Sequence, residues 1–371
     1  MKIAYDHQIF ATQRHGGISR YFAEVVQGLL QCEGVEPTVI APLHINRYLL
    51  SAGVRSSVRG TFLARDFPNS SRVIRWFNSA VLPTYWNGAS FDIVHETYYS
   101  SRCRGRARIR VVTLHDMINE LFPDEFPGAE KVARWKRAAV SRADHVICIS
   151  ETTRQDAIRM LDIDPRRCSV IHLGSSPSGT GADQTFVNRP GRPFLLYVGN
   201  RTGYKNFAIL LRCFDSSAKL RRDYDLVAFG GGKFSSEERA AIRAAGLADQ
   251  VRHVDGDDLK LRRYYRWASA FIFPSRYEGF GIPPLEAMAN SCPVICSNAG
   301  SIAEVVGDAG GYFQPDDSDA LRVQLERVVA DQQYAADLRA KGLRRVAGFS
   351  WSKCARETLK TYRRLLTSAA S

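Results

Sequence analysis

The stretch FIFPSRYEGFGIPPLEAMANSCPVICSNAGSIAE, residues 271–304, decides how the chain is read. It runs from a short apolar strand through a Gly- and Pro-rich loop into a helix, then a second apolar strand and a new helix start. Two carboxylates, Glu278 and Glu286, stand eight residues apart, the first in the loop and the second in the helix. A loop that opens a helix after a parallel strand is where α/β proteins bind nucleotides, because the first N–H groups of the helix point at the ligand.

Upstream, the same grammar repeats. Phe194–Val198 reads as a strand, followed by Gly199-Asn200-Arg201-Thr202-Gly203-Tyr204-Lys205-Asn206 and a helix. Two cations, Arg201 and Lys205, flank a glycine loop at a helix start, an arrangement that suits a diphosphate. Asp225–Phe229 is a strand ending in Gly230-Gly231-Gly232, and Val251–Val254 one ending in Asp255-Gly256-Asp257-Asp258. Asp257-Asp258 and Asp316-Asp317 read most simply as a loop and a helix start.

The first half alternates strand and helix as a doubly wound domain does. Lys2–Tyr5 is a strand. Gly16 and Gly17 then open a helix with apolar spacing from Ile18 to Leu30; the glycines serve either a plain turn or close approach to a ligand. Val111–Leu114 ends in His115-Asp116, polar residues at the carboxyl end of a strand, where crevices form. His145–Ile149 leads into Ser150-Glu151, with Ser150 as a helix cap. Residues 42–90 read as irregular, with an amphipathic segment at Arg72–Trp86 that either faces a core or lies on a membrane. Five arginines between Arg102 and Arg110 alternate along an extended segment, as a solvated edge or a phosphate patch.

A chain of 371 residues holds two domains more naturally than one. The boundaries expected are 1–175, a Gly/Ser/Pro-rich linker at 176–193, 194–350, and a C-terminal helix at 351–371 packing back towards the first domain. The N-terminus has no signal-peptide pattern, no apolar run is long enough to span a bilayer, and the eight scattered cysteines show no metal spacing. A cytoplasmic protein with reduced thiols and no bound metal is expected. The net charge of +13 is spread over the chain without a basic tail or a nucleic-acid motif. It points to phosphorylated ligands or an anionic membrane surface rather than to nucleic acid.

Taken in order, these motifs resemble the retaining family 4 glycosyltransferases. The carriers are Gly16-Gly17, Ser150-Glu151, Gly199-x-Arg201-x-x-x-Lys205-Asn206, the E-x7-E run Glu278-Gly279-Phe280-Gly281-x-Pro283-x-x-Glu286, and Ser301–Gly310. Ala303 stands where the family often has Pro. The resemblance implies the GT-B fold, α/β with two Rossmann-like domains facing each other across a cleft, and a nucleotide-sugar donor held without a metal. Arg201 and Lys205 would hold the diphosphate, Glu278 the sugar hydroxyls beside the N–H groups of Phe280 and Gly281, with Ile282 next to them. Glu286 would take the ribose, Gly17 would lie near the phosphates, and His115 beside the reacting sugar.

The base would be read around Gly230 and the 253–259 loop. There a carboxylate, Asp257 or Asp258, can accept from both guanine N1–H and N2–H. The chain is also similar to bacterial mannosyl- and related transferases of surface-polysaccharide assembly, which makes GDP-mannose the first donor expected, ahead of GDP-deoxyhexoses and UDP-sugars. The acceptor would be a glycan or a polyprenyl-diphosphate-linked oligosaccharide at the inner face of the plasma membrane. Rival readings are a 2-epimerase or phosphorylase of similar fold, and a non-catalytic nucleotide-sugar-binding protein.

Overall fold

A computed structural model describes residues 1–64, 70–88, 90–103, 105–175 and 190–369, and the backbone alone at 70–72. The arginines at 65 and 104, the Arg72 side chain and nearly all of the 176–193 linker lie outside the described residues. The chain forms two compact units, Met1–Gly174 together with Ser350–Ser371, and Ser175–Phe349.

In the first unit the elements run β1 (Lys2–Tyr5), α1 (Gly17–Leu29), β2 (Glu36–His44), α2 (Ala52–Arg55), β3 (Val58–Phe62), α3 (Ser70–Trp86), β4 (Phe91–Glu96), β5 (Ala107–Leu114), α4 (Ile118–Leu121), α5 (Ala129–Arg142), β6 (His145–Cys148), α6 (Glu151–Leu161) and β7 (Cys168–Val170). The seven strands pair in parallel in the order β3-β2-β1-β4-β5-β6-β7. The order reverses between β1 and β4. Apolar clusters cover this sheet, among them one joining β5 and β6 to α5 and α6 and one joining β1, β2 and β4 to Leu82 of α3. The described residues of 42–90 are therefore structured, not irregular. Its strand β3 is an edge strand with most residues exposed, so it lacks the apolar run that marks a buried parallel strand.

In the second unit come β8 (Phe194–Val198), α7 (Ala208–Asp215), α8 (Ala218–Asp223), β9 (Asp225–Phe229), α9 (Ser236–Ala244), β10 (Val251–Val254), α10 (Asp258–Trp267), β11 (Ala270–Phe273), α11 (Ile282–Ala289), β12 (Val294–Ser297), α12 (Ile302–Val306), β13 (Gly310–Phe313), α13 (Ser318–Ala330) and α14 (Gln332–Val346). Six parallel strands pair as β10-β9-β8-β11-β12-β13, reversing between β8 and β11. Their apolar side chains and those of α7, α13 and α14 form one core. Each fully buried Leu, Ile or Phe there contributes about 1.5–3 kcal/mol.

The last helix, α15 (Trp351–Ser368), belongs to the first unit and packs along α1. It is fixed by a buried polar chain as well as by apolar contact. The Tyr362 hydroxyl lies 3.0 Å from the Tyr5 hydroxyl and 2.5 Å from His95 Nδ1, while His95 Nε2 lies 2.8 Å from Thr113 Oγ1. Strands β1, β4 and β5 are thus tied to the C-terminal helix by groups fully withdrawn from water. Among the described residues no helix is long and apolar enough to cross a membrane.

Candidate active site

In open parallel sheets, ligands bind outside the carboxyl ends of the two strands between which the order reverses. In the second unit those strands are β8 and β11. The loop after β8 carries Lys205, the loop after β11 carries Glu278, and the Lys205 ammonium donates to Glu278 Oε1 at 2.6 Å. Burial pulls the lysine down, but the charge of Glu278 and the neighbouring Tyr204 outweigh it, and its pKa ends above the usual lysine value. The ammonium also lies over the rings of Tyr204 and Phe273, 4.9 and 5.9 Å from their centroids.

Backbone contacts hold the two loops in register. Arg276 N–H donates to Tyr204 O at 2.7 Å. Asn206, in the left-handed region at φ 57°, donates from its amide to Pro274 O after β11 and to Pro315 O after β13. The Ser301 hydroxyl bonds the carbonyls of Glu278 and Phe280 at 2.9 and 2.8 Å. Beside it, Gly300 adopts φ 53°, and a Cβ there would stand 2.9 Å from the backbone N and O of Glu278. The Glu278–Gly281 turn is therefore shaped by residues of the E-x7-E run and by the Gly300-Ser301 pair after β12.

Gly281 caps α11 at φ 114°, Ile282 is its first helical residue, and the Phe280 ring is buried edge-on against Phe349, 5.9 Å between centroids. Glu286 lies one turn into α11, half-buried, and accepts from the Tyr265 hydroxyl at 3.5 Å. The arrangement offers an ammonium and a helix N-terminus to an anion, and a carboxylate to hydroxyl groups.

Arg201 is held by the loop after the neighbouring strand. Its guanidinium is buried, 3% exposed, and directed at the loop after β9. It donates to Gly230 O at 2.9 Å, Gly232 O at 2.8 Å, Lys233 O at 3.2 Å and Glu238 Oε1 at 2.8 Å, and lies over the Phe234 ring. Engaged by three carbonyls and a carboxylate, the guanidinium clamps the 230–233 loop. Gly230, Gly231 and Gly232 all have positive φ, and a Cβ on Gly231 would stand 2.3 Å from Gly199 O. The sequence reading missed Glu238, although Ser235-x-x-Glu238 is a capping box and marks it.

Asp257 and Asp258 stand at the helix start that their sequence suggests. Asp257 accepts from Lys260 N–H at 2.8 Å as the N-cap of α10, and Asp258 is exposed in the first turn.

In the first unit, Gly16 is extended and Gly17 begins α1, with open space where its Cβ would be. His115 is buried between the rings of Tyr21 and Phe22, and Lys136 holds the turn after it. That lysine is fully buried on α5 and donates to Asp116 O at 2.9 Å and Glu120 Oε2 at 2.7 Å. Burial lowers His115 to about 4, with Asp116 opposing and Lys136 reinforcing, so its ring is neutral. Among the described residues its Nε2 has no hydrogen-bond partner. Glu151 pairs with Arg154 within α6 at 2.8 Å.

The arginine stripe dissolves in part. Arg110 turns inward to the buried Glu96, 3.2 Å away, where Arg142 of α5 also docks. Asp6, Glu96 and Cys103 come within 4.8 Å of one another, but both carboxylates already have partners, Asp6 accepting from Thr97 and Gln8.

The chain matches two family models, Glycosyltransferase Family 4 over residues 15–178 and Glycosyl transferases group 1 over residues 182–345. It is 28% identical over 270 residues to O-antigen chain mannosyltransferase B of Escherichia coli, covering 69% of this chain and 70% of that protein. It is 30% identical over 309 residues to alpha-maltose-1-phosphate synthase of Mycobacterium tuberculosis, covering 74% and 79%. Its fold superposes on sucrose-phosphate synthase of Thermosynechococcus elongatus with a TM-score of 0.75 at 21% identity, over 99% of this chain and 100% of that one. Two parallel Rossmann-like units and both family matches agree: the chain belongs to the family 4 glycosyltransferases of GT-B fold.

Proposed function

We propose that this glycosyltransferase moves a hexose from a nucleotide-sugar, best GDP-mannose, to a glycan or polyprenyl-diphosphate-linked acceptor during bacterial surface-polysaccharide assembly. The observation that carries it is the Lys205–Glu278 pair at the β8/β11 reversal. Lys205 balances the charge that develops as the nucleoside diphosphate leaves, which lowers the barrier because that charge is greatest in the transition state. Glu278 accepts from the sugar hydroxyls and Glu286 from the ribose. Transfer retains the anomeric configuration, and the lysine takes the place of a metal. His115, neutral and with Nε2 unpartnered, takes a hydroxyl of the sugar. With Asp257 serving as a cap, Asp258 is left to read guanine, and the mannosyltransferase relatives support mannose as the sugar.

Turnover is read as nucleoside diphosphate release across GDP- and UDP-sugars, with and without chelator, and the anomer of the product by NMR. GDP-mannose should be the best donor, chelator should change nothing, and the product should be the α-anomer. A dominant UDP-sugar rate would establish the second reading.

The acceptor end of the reading includes a membrane. On α3, Val73, Trp76 and Phe77 are exposed, Trp76 at 73%, alongside the exposed Arg75. Apolar residues with a cation at that spacing suit the headgroup region of an anionic bilayer. Vesicles containing anionic lipid should pull the protein down at low salt, and Trp76→Ser should weaken this; no binding by the native chain removes the membrane from the proposal.

A further inference from the structure

His115 stands where β5 runs out of neighbours. The pairing of β4 with β5 ends at Glu96 and Val112, and on the other side Leu114 O takes the N–H of Ile149 after β6. One residue on, the His115 N–H donates to the Tyr99 hydroxyl at 3.2 Å, and that hydroxyl donates to Thr113 O at 3.4 Å. A single buried hydroxyl from the loop after β4 thus serves the backbone where no strand is left to pair with it.

The next peptide is held by Lys136. Its side chain is fully buried, yet it donates to Asp116 O at 2.9 Å and to Glu120 Oε2 at 2.7 Å. It also stands 3.8 Å from Asp116 Oδ1 and lies over the Tyr99 ring, 5.5 Å from the centroid. A buried ion pair is a poor source of stability, because desolvation of both ions offsets their attraction, and apolar residues of the same volume often do as well. What such a pair does supply is a fixed charge in a medium that screens it weakly.

That charge acts on His115. Tyr21 and Phe22 of α1 close the ring edge-on, and His95 of β4, Tyr99, Asp116 and Lys136 complete its surroundings. Burial keeps both tyrosines protonated and His95 neutral, so Asp116 and Lys136 are the charges the ring meets. Glycosyl transfer passes through a state in which the anomeric carbon gains positive character. An imidazolium beside that carbon would oppose it, whereas a neutral ring stabilises a hydroxyl without adding charge.

We propose that Lys136 and Tyr99 are positioning residues for His115, Tyr99 fixing its backbone and the buried Lys136 ammonium barring a second proton from its ring. The proposal rests on the reading above in which His115 meets the donor sugar.

Three variants of the full chain test it: Tyr99→Phe, Lys136→Met combined with Glu120→Gln, and His115→Gln. The double variant removes both ions at similar volume, so neither is left buried and unpaired. NMR titration of the histidine rings, with His115 assigned from its loss in His115→Gln, should show the ring taking up its proton at higher pH in the double variant than in the native chain. Tyr99→Phe and the double variant should each lower kcat by about tenfold or more at pH 7. GDP affinity should stay within about twofold, since His115 meets the sugar and not the nucleotide. Tyr99→Phe keeps the proposal open to refutation if the double variant fails to fold. An unmoved His115 titration in the double variant, or kcat within about twofold of native in Tyr99→Phe, would overturn it. If His115→Gln loses turnover in the same assay, such a result sinks this proposal alone. Native turnover by His115→Gln sinks the reading of His115 on which it rests.

Discussion

Lys205 Nζ and Glu278 Oε1 meet at 2.6 Å although 73 residues separate them in the chain. They meet because β8 and β11 are neighbours in the sheet while β9 and β10 lie on the far side of β8. The pair places a cation for a diphosphate and an anion for sugar hydroxyls side by side. Lys205→Met and Glu278→Gln should each lower turnover by about 100-fold or more, the scale of losing one group aimed at transition-state charge. Nucleoside diphosphate release is the measurement, and near-native rates in both variants would remove the pair from the mechanism.

Arg201→Met should act on stability and nucleotide affinity rather than on the chemical step. It leaves the carbonyls of Gly230, Gly232 and Lys233 without their donor and Glu238 without its partner. A loss of about 3–5 kcal/mol is expected for breaking such a buried pair from one side. Urea denaturation and GDP titration report it. A variant of native stability with a large fall in kcat alone would return Arg201 to the diphosphate.

Gly300→Ala should disturb Glu278 without touching its side chain. The added methyl would press on the Glu278 backbone at a φ that side chains rarely adopt. The expected signature is a fall in kcat with little change in GDP affinity, read by steady-state kinetics beside calorimetric titration.

Acid should weaken the first unit before the second. Burial lowers His44, His115 and His145 to about 4 and His95 to about 3, and all four lie in the first unit. The unfolded chain titrates near the ordinary histidine value of 6.5 and so binds more protons than the native unit between that pH and about 4. Their stabilisation is full above that value and is lost as pH falls towards 4. The slope is at most about 1.4 kcal/mol per pH unit for each histidine. Hydrogen exchange at pH 7 and pH 5 should show protection falling in the first unit and holding in the second. Equal loss in both would contradict this.

Tyr362→Phe should destabilise the first unit by about 1–3 kcal/mol, because it leaves His95 Nδ1 and the Tyr5 hydroxyl buried without their shared partner. Thermal unfolding measures it, and an unchanged midpoint would mean that water replaces the hydroxyl.

Local chemistry was legible wherever one segment sufficed. The strands Phe194–Val198 and Asp225–Phe229 read from their apolar runs with the bounds the fold has. The cap at Ser150 read from its hydroxyl. Lys205, Glu278 and Glu286 were singled out from their spacing on loops and a helix start. Strand β13 opens on two glycines and β3 is an exposed edge, so neither carries a run to read.

The sequence by itself determined a two-unit α/β chain with carboxylates and cations gathered after strands. Alternating apolar strands and amphipathic helices leave few other ways to bury their faces. Only the tertiary structure decided which of those polar groups meet. A guanidinium after a strand reads the same whether it faces a diphosphate or, as Arg201 does, the carbonyls of a neighbouring loop. An aspartate before a helix reads the same as ligand or, as with Asp257, as cap. Periodicity specifies the face a residue takes; its neighbour depends on strand order, which is set by long-range pairing across the whole sheet.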